Sequence, residues 1–176
     1  MQTLTLRPAQ LDSYTNVLDP EIFQEFFVDC GERYLRYEQR YPRRLFTHSD
    51  HESWLREYFN TFINTVQPES SLQQIFVGLE LPGSEFWLHH NHPNLSAVIC
   101  YSLDTAQTPK LRVLDQATDQ NYFPARSAEQ QQLAYQDYEF QRNQAFVMRG
   151  SDVVWGFNTH VPPGAIKRSV WIYLGT

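Results

Sequence analysis

The chain has 176 residues, of which 41% are hydrophobic and 15% aromatic, and its formal net charge is −6. A chain of this length can bury one core and is short for two, so we expect a single domain over residues 1–176. The negative charge argues against a nucleic-acid partner, whose binding surface should be basic. No stretch of sequence is long and apolar enough to cross a bilayer, so no membrane partner is expected.

The N-terminus and the cysteines indicate a compartment. Residues 1–13 show no basic region followed by an apolar one, which is the pattern of a signal peptide. Cys30 and Cys100 are the only cysteines in the sequence, and Cys100 lies in an apolar run typical of a buried strand. We therefore expect two free, unreactive thiols and a cytoplasmic protein.

Residues 1–68 are predicted to be the helical part of the chain. Asp19 suits an N-cap, Pro20 fits the first helical position, and Glu21 favours the positive end of the helix dipole. A first helix should therefore begin here, and Pro42 marks its predicted end. Its apolar face recurs at near-helical spacing and consists of Ile22, Phe23, Phe26, Phe27, Tyr34 and Leu35.

Polar residues mark the end of this helix and the start of the next. A basic stripe is expected to face solvent, and it consists of Arg33, Arg36 and Arg40, with Arg43 and Arg44 beyond. Ser49 and Glu52 then have the Ser-x-x-Glu spacing of a capping box. The apolar stripe that follows predicts a second helix, which Pro68 should close.

Residues 69–176 change to period-two spacing and short apolar runs, which predict strands. Strands are expected at 75–81, 86–90, 96–103, 111–114, 145–148, 153–155 and 169–174. The polar, Gln-rich segment 115–142 is predicted to be a long excursion with one short helix, and it should shape a substrate site. Two helices followed by about seven or eight short strands favour helices packed on a β-sandwich or barrel.

Three histidines stand together before the most apolar strand. His89, His90 and His92 precede the run Ala97-Val98-Ile99-Cys100-Tyr101. Neutral imidazole is the commonest protein metal ligand, and neighbours at i and i+2 on a strand share a face. His90 and His92 could therefore hold one ion together, with His89 and Asn91 as the opposite pair. The alternative is a set of surface-loop histidines beside a proline.

The C-terminal segment adds the second half of a candidate site. His160 is followed by a Pro-Pro-Gly turn and then by Lys167-Arg168-Ser169, which leads into the final apolar strand. Over residues 75–174, this order and spacing resembles the iron- and 2-oxoglutarate-dependent oxygenases. In that family a His-x-Asp pair begins the iron site and a distal His completes it. An Arg on the last strand binds the far carboxylate of the cosubstrate, often with a nearby hydroxyl.

The resemblance implies a fold, two cofactors and a cosubstrate site. The fold would be a double-stranded β-helix, a jelly roll in residues 69–176, with the N-terminal helices packed outside. The cofactors would be Fe(II) and 2-oxoglutarate. Arg168, with Ser169, would bind the cosubstrate, because a planar and permanently charged guanidinium matches a carboxylate.

The sequence departs from the family at the carboxylate of the His-x-Asp pair. Asn91 follows His89, and His92 follows His90, so an Asp is missing in either register. An Asn amide is a weak iron ligand, whereas a third imidazole is a good one. The resemblance therefore favours His90, His92 and His160 as metal ligands, with His89 and Asn91 as the alternative first pair.

Three functions follow from these patterns. The leading one is an Fe(II)/2-oxoglutarate-dependent dioxygenase, an oxidoreductase that hydroxylates a small molecule or an amino-acid-like substrate. The second is a cupin-like metal protein that uses three histidines and no 2-oxoglutarate, although the Glu expected after the first His pair is missing. The third is a catalytically inactive β-sandwich that serves as a binding module. The sequence identifies neither the substrate nor the oligomeric state.

Overall fold

Three helices and twelve strands form the part of the chain that the structure describes. The structure is a computed structural model, and it describes residues 1–5, 11–32, 37–47, 52–116 and 118–176. The helices are α1 (Pro20–Glu32), α2 (Glu52–Val66) and α3 (Ala125–Gln130). The strands are β1 (Gln2–Thr5), β2 (Leu11–Thr15), β3 (Tyr37–Tyr41), β4 (Arg44–Thr47), β5 (Ser71–Glu80), β6 (His89–His90), β7 (Leu95–Ser102), β8 (Ala106–Leu114), β9 (Tyr135–Phe140), β10 (Gln144–Arg149), β11 (Val154–Phe157) and β12 (Lys167–Gly175).

The strands form two antiparallel sheets. The large sheet has the order β1-β2-β10-β7-β12-β5-β4-β3, and the small sheet has the order β6-β11-β8-β9. From β5 to β12 the chain passes from one sheet to the other at every step except between β8 and β9, as in a jelly roll. The predicted fold class, a mainly β double-stranded β-helix, is confirmed.

Each face of the large sheet buries its own apolar core. On the outer face, Ile75 and Ile99 pack against the two long helices, where Phe26 of α1 meets Phe59 of α2 edge to face at 5.3 Å. On the inner face, side chains of opposite pleat, such as Phe76, pack against the small sheet. Because side chains alternate along a strand, one strand serves both cores. The prediction that both helices pack outside one sheet is confirmed.

The described part of residues 1–68 contains four strands as well as the two helices. The first helix ends at Glu32, not at Pro42, and β3 and β4 form a hairpin that extends the large sheet beside β5. Arg43 in the hairpin turn has a φ of 62°, which belongs to a tight turn and not to a helix. Arg44, predicted to face solvent, is largely buried against Glu80. The other parts of this prediction, Tyr34, Leu35, Arg33, Arg36 and the start of the capping box, lie outside the described residues.

The segment 115–142 is more ordered than predicted. It contains α3 and a complete strand, β9, which pairs with β8. Its polar composition reflects the exposed face of an edge strand, which needs no apolar side chains. The strand expected at 86–90 is shorter than predicted, since β6 consists of His89 and His90 alone.

Both cysteines are free and buried, as expected. Burial raises the pKa of the Cys30 and Cys100 thiols to about 12 each, so neither forms the reactive thiolate at neutral pH. Within the described ranges, no helix is long and apolar enough to span a membrane.

Candidate binding site

A cleft of ≈ 850 Å³ opens between the two sheets, where β6 lies opposite β4 and β5. We call it the intersheet cleft. Its walls are largely aromatic and include Phe46, Phe76, Phe86, Trp87, His89, Tyr122, Trp155 and Tyr173. Ligand pockets of about 300–1,000 Å³ with mainly apolar and aromatic walls are typical of small-molecule sites.

A close backbone approach positions one wall of the cleft. The segment before β6 crosses β11 at Gly156, where an added Cβ would lie 2.6 Å from the Trp87 carbonyl oxygen. The Phe157 amide donates to the Phe86 carbonyl at 2.7 Å, which fixes this crossing. Trp87 can lie at the cleft because Gly156, beneath its backbone, has no side chain.

His89 is the histidine that enters the aromatic wall. Its ring centroid lies 4.5 Å from that of Trp155 and 5.0 Å from that of Phe86. The ring of Tyr122 stacks on it at 5.5 Å with an interplanar angle of 12°. Burial lowers the pKa of the His89 imidazole below its usual value of 6.5, and the hydrogen bond to the Trp87 carbonyl at 2.9 Å opposes this only in part. His89 is therefore neutral at pH 7.

Asn91 lies beneath His89 and is 3% exposed. Its Nδ2 donates to the carbonyl oxygens of Met148 and Gly150 at 3.0 and 2.9 Å. Its Oδ1 accepts a hydrogen bond from Trp155 Nε1 at 2.7 Å. Both amide protons and the amide oxygen are thus engaged in tying the chain after β6 to β10 and β11.

The side chains of His90 and His92 do not lie on the same face of the chain as those of His89 and Asn91. The two ring nitrogens of His90 lie 2.9 Å from the Ser151 carbonyl oxygen and 2.6 Å from that of Thr118. His92 is exposed at the rim, where its Nδ1 accepts a hydrogen bond from the Asn94 amide at 3.3 Å. The favoured register of the first pair was therefore wrong by one residue, because β6 pairs with β11 so that His89 lies opposite Trp155.

His160 lies at the surface. It is exposed and lines a cavity of ≈ 300 Å³ that shares Glu85, Phe86 and Trp87 with the intersheet cleft. The structure does not bring His90, His92 and His160 together as one group, and their joint role as metal ligands stays a prediction. Within the ranges that the structure describes, no three His, Cys, Asp or Glu side chains are close enough to share a metal ion.

The predicted cosubstrate residues lie on opposite faces of β12. Arg168 points to the helical side, where Nε and Nη2 donate to Asp104 at 2.8 and 2.6 Å and the guanidinium lies over Phe27. Ser169 points into the barrel and is fully buried. Consecutive strand residues cannot share a face, so Arg168 and Ser169 could not both line one pocket. The expectation that Arg168 faces the barrel is wrong.

The cation that does face the barrel interior is Lys167. It is 1% exposed, its Nζ lies 3.3 Å from the centroid of Phe140, and it is 3.5 Å from Ser102 Oγ. Its register partner on β5 is the fully buried Glu80, which Arg44 of β4 contacts at 3.3 Å. Burial lowers the pKa of the Lys167 ammonium and raises that of the Glu80 carboxyl. Three charged side chains thus cross the inner face of the large sheet in a row.

The residues present do not fit an iron ion with 2-oxoglutarate. A facial iron site needs three ligands with lone pairs directed at one point, but both amide protons and the amide oxygen of Asn91 already have partners. No three His, Cys, Asp or Glu side chains of the described residues form such a set. Of the cations near the intersheet cleft, Arg43 and Arg44 line it and Arg44 pairs with Glu80, whereas Lys167 lies outside its lining.

Several residues of the site were missed in the sequence. Trp155 lies in a short apolar run and was interpreted only as part of a strand, and Tyr122 lies in the polar excursion. The inward position of Lys167 was available from its spacing, because Lys167 and Ser169 stand at i and i+2. Nothing in the local pattern distinguished Arg44 from the other arginines near it.

The comparisons with known proteins agree on the fold. No protein-family model and no curated protein matches this sequence. Among solved structures, HygX from Streptomyces hygroscopicus, with nickel, 2-oxoglutarate and hygromycin B bound, has a TM-score of 0.67 at 9% identity, covering 94% of this chain and 82% of HygX. A prolyl-4-hydroxylase from Pseudomonas putida has a TM-score of 0.62 at 12% identity, covering 95% of this chain and 93% of the enzyme.

A third similar structure is the epimerase SnoN in complex with Fe3+, alpha ketoglutarate and nogalamycin RO. Its TM-score is 0.64 at 10% identity, covering 94% of this chain and 78% of SnoN. Of the cofactors expected from the sequence, 2-oxoglutarate is present in the HygX and SnoN structures, together with nickel in HygX and Fe3+ in SnoN. The identities are low, so the likeness establishes the shared fold of iron- and 2-oxoglutarate-dependent oxygenases.

Proposed function

We propose that this protein binds a small organic molecule in the intersheet cleft, on the scaffold of the 2-oxoglutarate oxygenases, and that it does so without a resident iron ion. This is the third function that the sequence suggested, a catalytically inactive binding module. The observation that carries the proposal is the engagement of Asn91. The residue that stands where the family has its Asp ties the chain after β6 to β10 and β11 through its amide protons and amide oxygen.

The cleft itself supports binding of a small molecule. Its volume of ≈ 850 Å³ and its aromatic walls are those of an ordinary ligand pocket. The neighbours of the same fold hold such ligands, hygromycin B in HygX and nogalamycin RO in SnoN. The chemistry that this chain contributes is therefore shape and stacking, together with the polar groups at the rim.

An Fe(II)/2-oxoglutarate-dependent oxygenase is the second candidate function. The cofactors of the neighbours favour it, since HygX contains nickel and 2-oxoglutarate and SnoN contains Fe3+ and alpha ketoglutarate. His89 and Asn91 are the pair that faces the interior, so an iron ion would have to recruit His89 and break the hydrogen bonds of Asn91. The cupin-like three-histidine alternative needs the convergence of His90, His92 and His160 and therefore has less support.

A thermal-shift screen in the presence and absence of a chelator separates the two candidates. A ligand of the folded state at 100 times its Kd stabilises the protein by about 2.7 kcal/mol. Our proposal expects small molecules that raise Tm equally with and without EDTA. An oxygenase would instead show stabilisation that requires Fe(II) and 2-oxoglutarate together and that EDTA abolishes.

A further inference from the structure

We propose that the ligand of the intersheet cleft is a neutral, polyhydroxylated ring, that is, a sugar or a glycosylated small molecule. This inference rests on the proposed function, because it assigns a chemical class to the ligand of that same cleft. Three features carry it: two exposed aromatic faces, the strained position of one of them, and the balance of charge at the rim.

The first feature is the exposure of Trp87 and Tyr122, which are 45% and 66% exposed. Both line the intersheet cleft. Trp87 Nε1 donates to Glu85 Oε2 at 2.8 Å, which restrains the indole plane while its face stays open. Tyr122 covers His89, and its outer face is free to stack on a ligand. Large aromatic side chains held open at the rim of a cleft offer flat surfaces for stacking.

The second feature is the backbone of Tyr122. Its φ of 58° lies in a region that non-glycine residues seldom adopt because it strains the backbone. The next residue, Phe123, is fixed by two backbone hydrogen bonds with Leu88, at 3.0 and 3.1 Å. Asn121 on the other side accepts from the His90 amide at 3.1 Å. The surroundings thus hold Tyr122 in a strained conformation that presents its ring over the cleft.

The third feature is the balance of charge at the rim of the cleft. Among the described residues, the charged side chains that line the cleft are Arg43, Arg44 and Glu85. Arg44 pairs with the buried Glu80, whereas Arg43 and Glu85 are exposed and carry opposite charges. A rim with one cation and one anion favours a neutral ligand over a charged one.

A sugar ring combines the properties that these features require. The C–H bonds on its faces carry a partial positive charge and pack against the negative face of an aromatic ring. Its hydroxyl groups project from the edge, where each can both donate and accept. Arg43 supplies donors and Glu85 acceptors at the same rim. A wholly aromatic ligand would use the rings but gain nothing from these exposed polar groups, which would remain hydrated.

The experiment is an array of neutral oligosaccharides, with sialylated oligosaccharides, adenosine and naphthalene sulfonate as competing classes. We expect saturable binding of a neutral oligosaccharide, followed by calorimetry on the best one. Trp87→Ala and Tyr122→Ala should each weaken its binding about tenfold, the upper range for loss of one aromatic contact. Trp87→Phe should retain part of the affinity. Trp54→Phe, on α2 and outside the cleft, is the matched control and should bind like the wild type.

The outcomes separate this inference from the proposed function. Binding of adenosine, the sulfonate or only acidic sugars, weakened by Trp87→Ala, would overturn the sugar assignment while the cleft remained a ligand site. Absence of binding by every neutral oligosaccharide would also overturn it. Equal affinities of the wild type and both alanine variants would overturn it as well, provided that thermal unfolding shows the variants to be folded.

Discussion

Asn91 has two amide protons and one amide oxygen, and each of them has a partner inside the protein. Replacing it with Asp restores the family's carboxylate and tests what the position does. In Asn91→Asp, a carboxylate oxygen would face the carbonyl oxygens of Met148 and Gly150 without a proton between them. We expect the free energy of unfolding to fall by about 2–4 kcal/mol, measured by urea denaturation.

The matched control is Asn94→Asp, an exposed position three residues further along the chain, which should change the free energy of unfolding by less than about 0.5 kcal/mol. Fe(II) should not restore the stability of Asn91→Asp. If Fe(II) did restore it, position 91 would be a metal-ligand position after all.

His89 gives a pH dependence whose sign follows from its burial. The folded state lowers the pKa of the imidazole below 6.5, so between the folded and the unfolded pKa the unfolded state binds more protons. Stability therefore rises with pH in that window and is lost as the pH falls below about 6.5. His89→Phe should remove a slope of up to about 1.4 kcal/mol per pH unit. Denaturation at pH 7.5, 6.0 and 5.0 measures it, and the exposed His92→Gln should keep the wild-type slope. Parallel curves for His89→Phe and the wild type would contradict the burial of a neutral ring.

The residue type of Arg168 indicates that it binds a carboxylate, but it does not indicate which carboxylate. Arg168 was expected to bind the far carboxylate of 2-oxoglutarate, whereas in the structure its guanidinium binds the carboxylate of Asp104 bidentately. The pair is a quarter exposed on both sides, so Arg168→Ala should lower the free energy of unfolding by about 1 kcal/mol. A double-mutant cycle with Asp104→Ala isolates the pair. Independent effects of the two substitutions would show that the ion pair contributes nothing.

At the scale of elements, the sequence predicted strands well and their faces poorly. The runs that became β5, β7, β10, β11 and β12 were all predicted, because buried strands carry continuous or alternating apolar residues. Which of His89 and His90 faces inwards depends on how β6 pairs with β11, and a two-residue strand has no pattern of its own that fixes this. In any strand this short, a shift of the pairing by one residue reverses which side chains face inwards, and the sequence does not determine it.

The sequence missed β1 to β4 and β9, and the missed strands at the sheet edges are polar for a structural reason. The hairpin of β3 and β4 is an edge of the large sheet, and β9 is an edge of the small one. Edge strands carry charged and polar side chains, and in single sequences these resemble loops or solvent-facing helices. Arg44 and Lys167 were missed because a buried charge is rare, and only its tertiary partner explains it.

Arg112 fixes the position of α3, and its removal should release that element. Its side chain is 4% exposed and pairs bidentately with Asp137 at 2.7 and 2.8 Å. Its Nη1 also donates to Glu129 and to the Ala125 carbonyl, at 2.8 and 3.1 Å. We expect Arg112→Met to lower the free energy of unfolding by about 3–5 kcal/mol, because a buried network loses its central cation.

Hydrogen exchange localises this effect. In Arg112→Met, the backbone amides of α3 should exchange faster than in the wild type. The amides of β7 should still exchange only through global unfolding. Lys110→Met is the control on the same strand, since its pair with Glu139 is largely exposed and should contribute little. Unchanged protection of α3 in Arg112→Met would mean that its apolar contacts hold it without the arginine.

At the scale of the whole molecule, the large sheet divides the protein into an outer core beneath the helices and an inner core between the sheets. The inner core is filled by aromatic side chains, among them Trp155 and Trp171. In the same fold the neighbours HygX and SnoN hold a metal ion and 2-oxoglutarate. Because aromatic side chains fill the interior of this protein, a ligand could not bind there. The intersheet cleft is open to the surface, so we assign ligand binding to it.

The most direct test of this account is an anaerobic titration of the wild-type protein with Fe(II) and 2-oxoglutarate, followed by the metal-to-ligand charge-transfer absorption. Asn91 is engaged, no three potential ligands of the described residues converge and Lys167 is enclosed, so we predict no such band and no rise in Tm when both are added together. A saturable charge-transfer band that His89→Ala abolishes would contradict the account and show that iron and 2-oxoglutarate bind at this site as they do in an oxygenase.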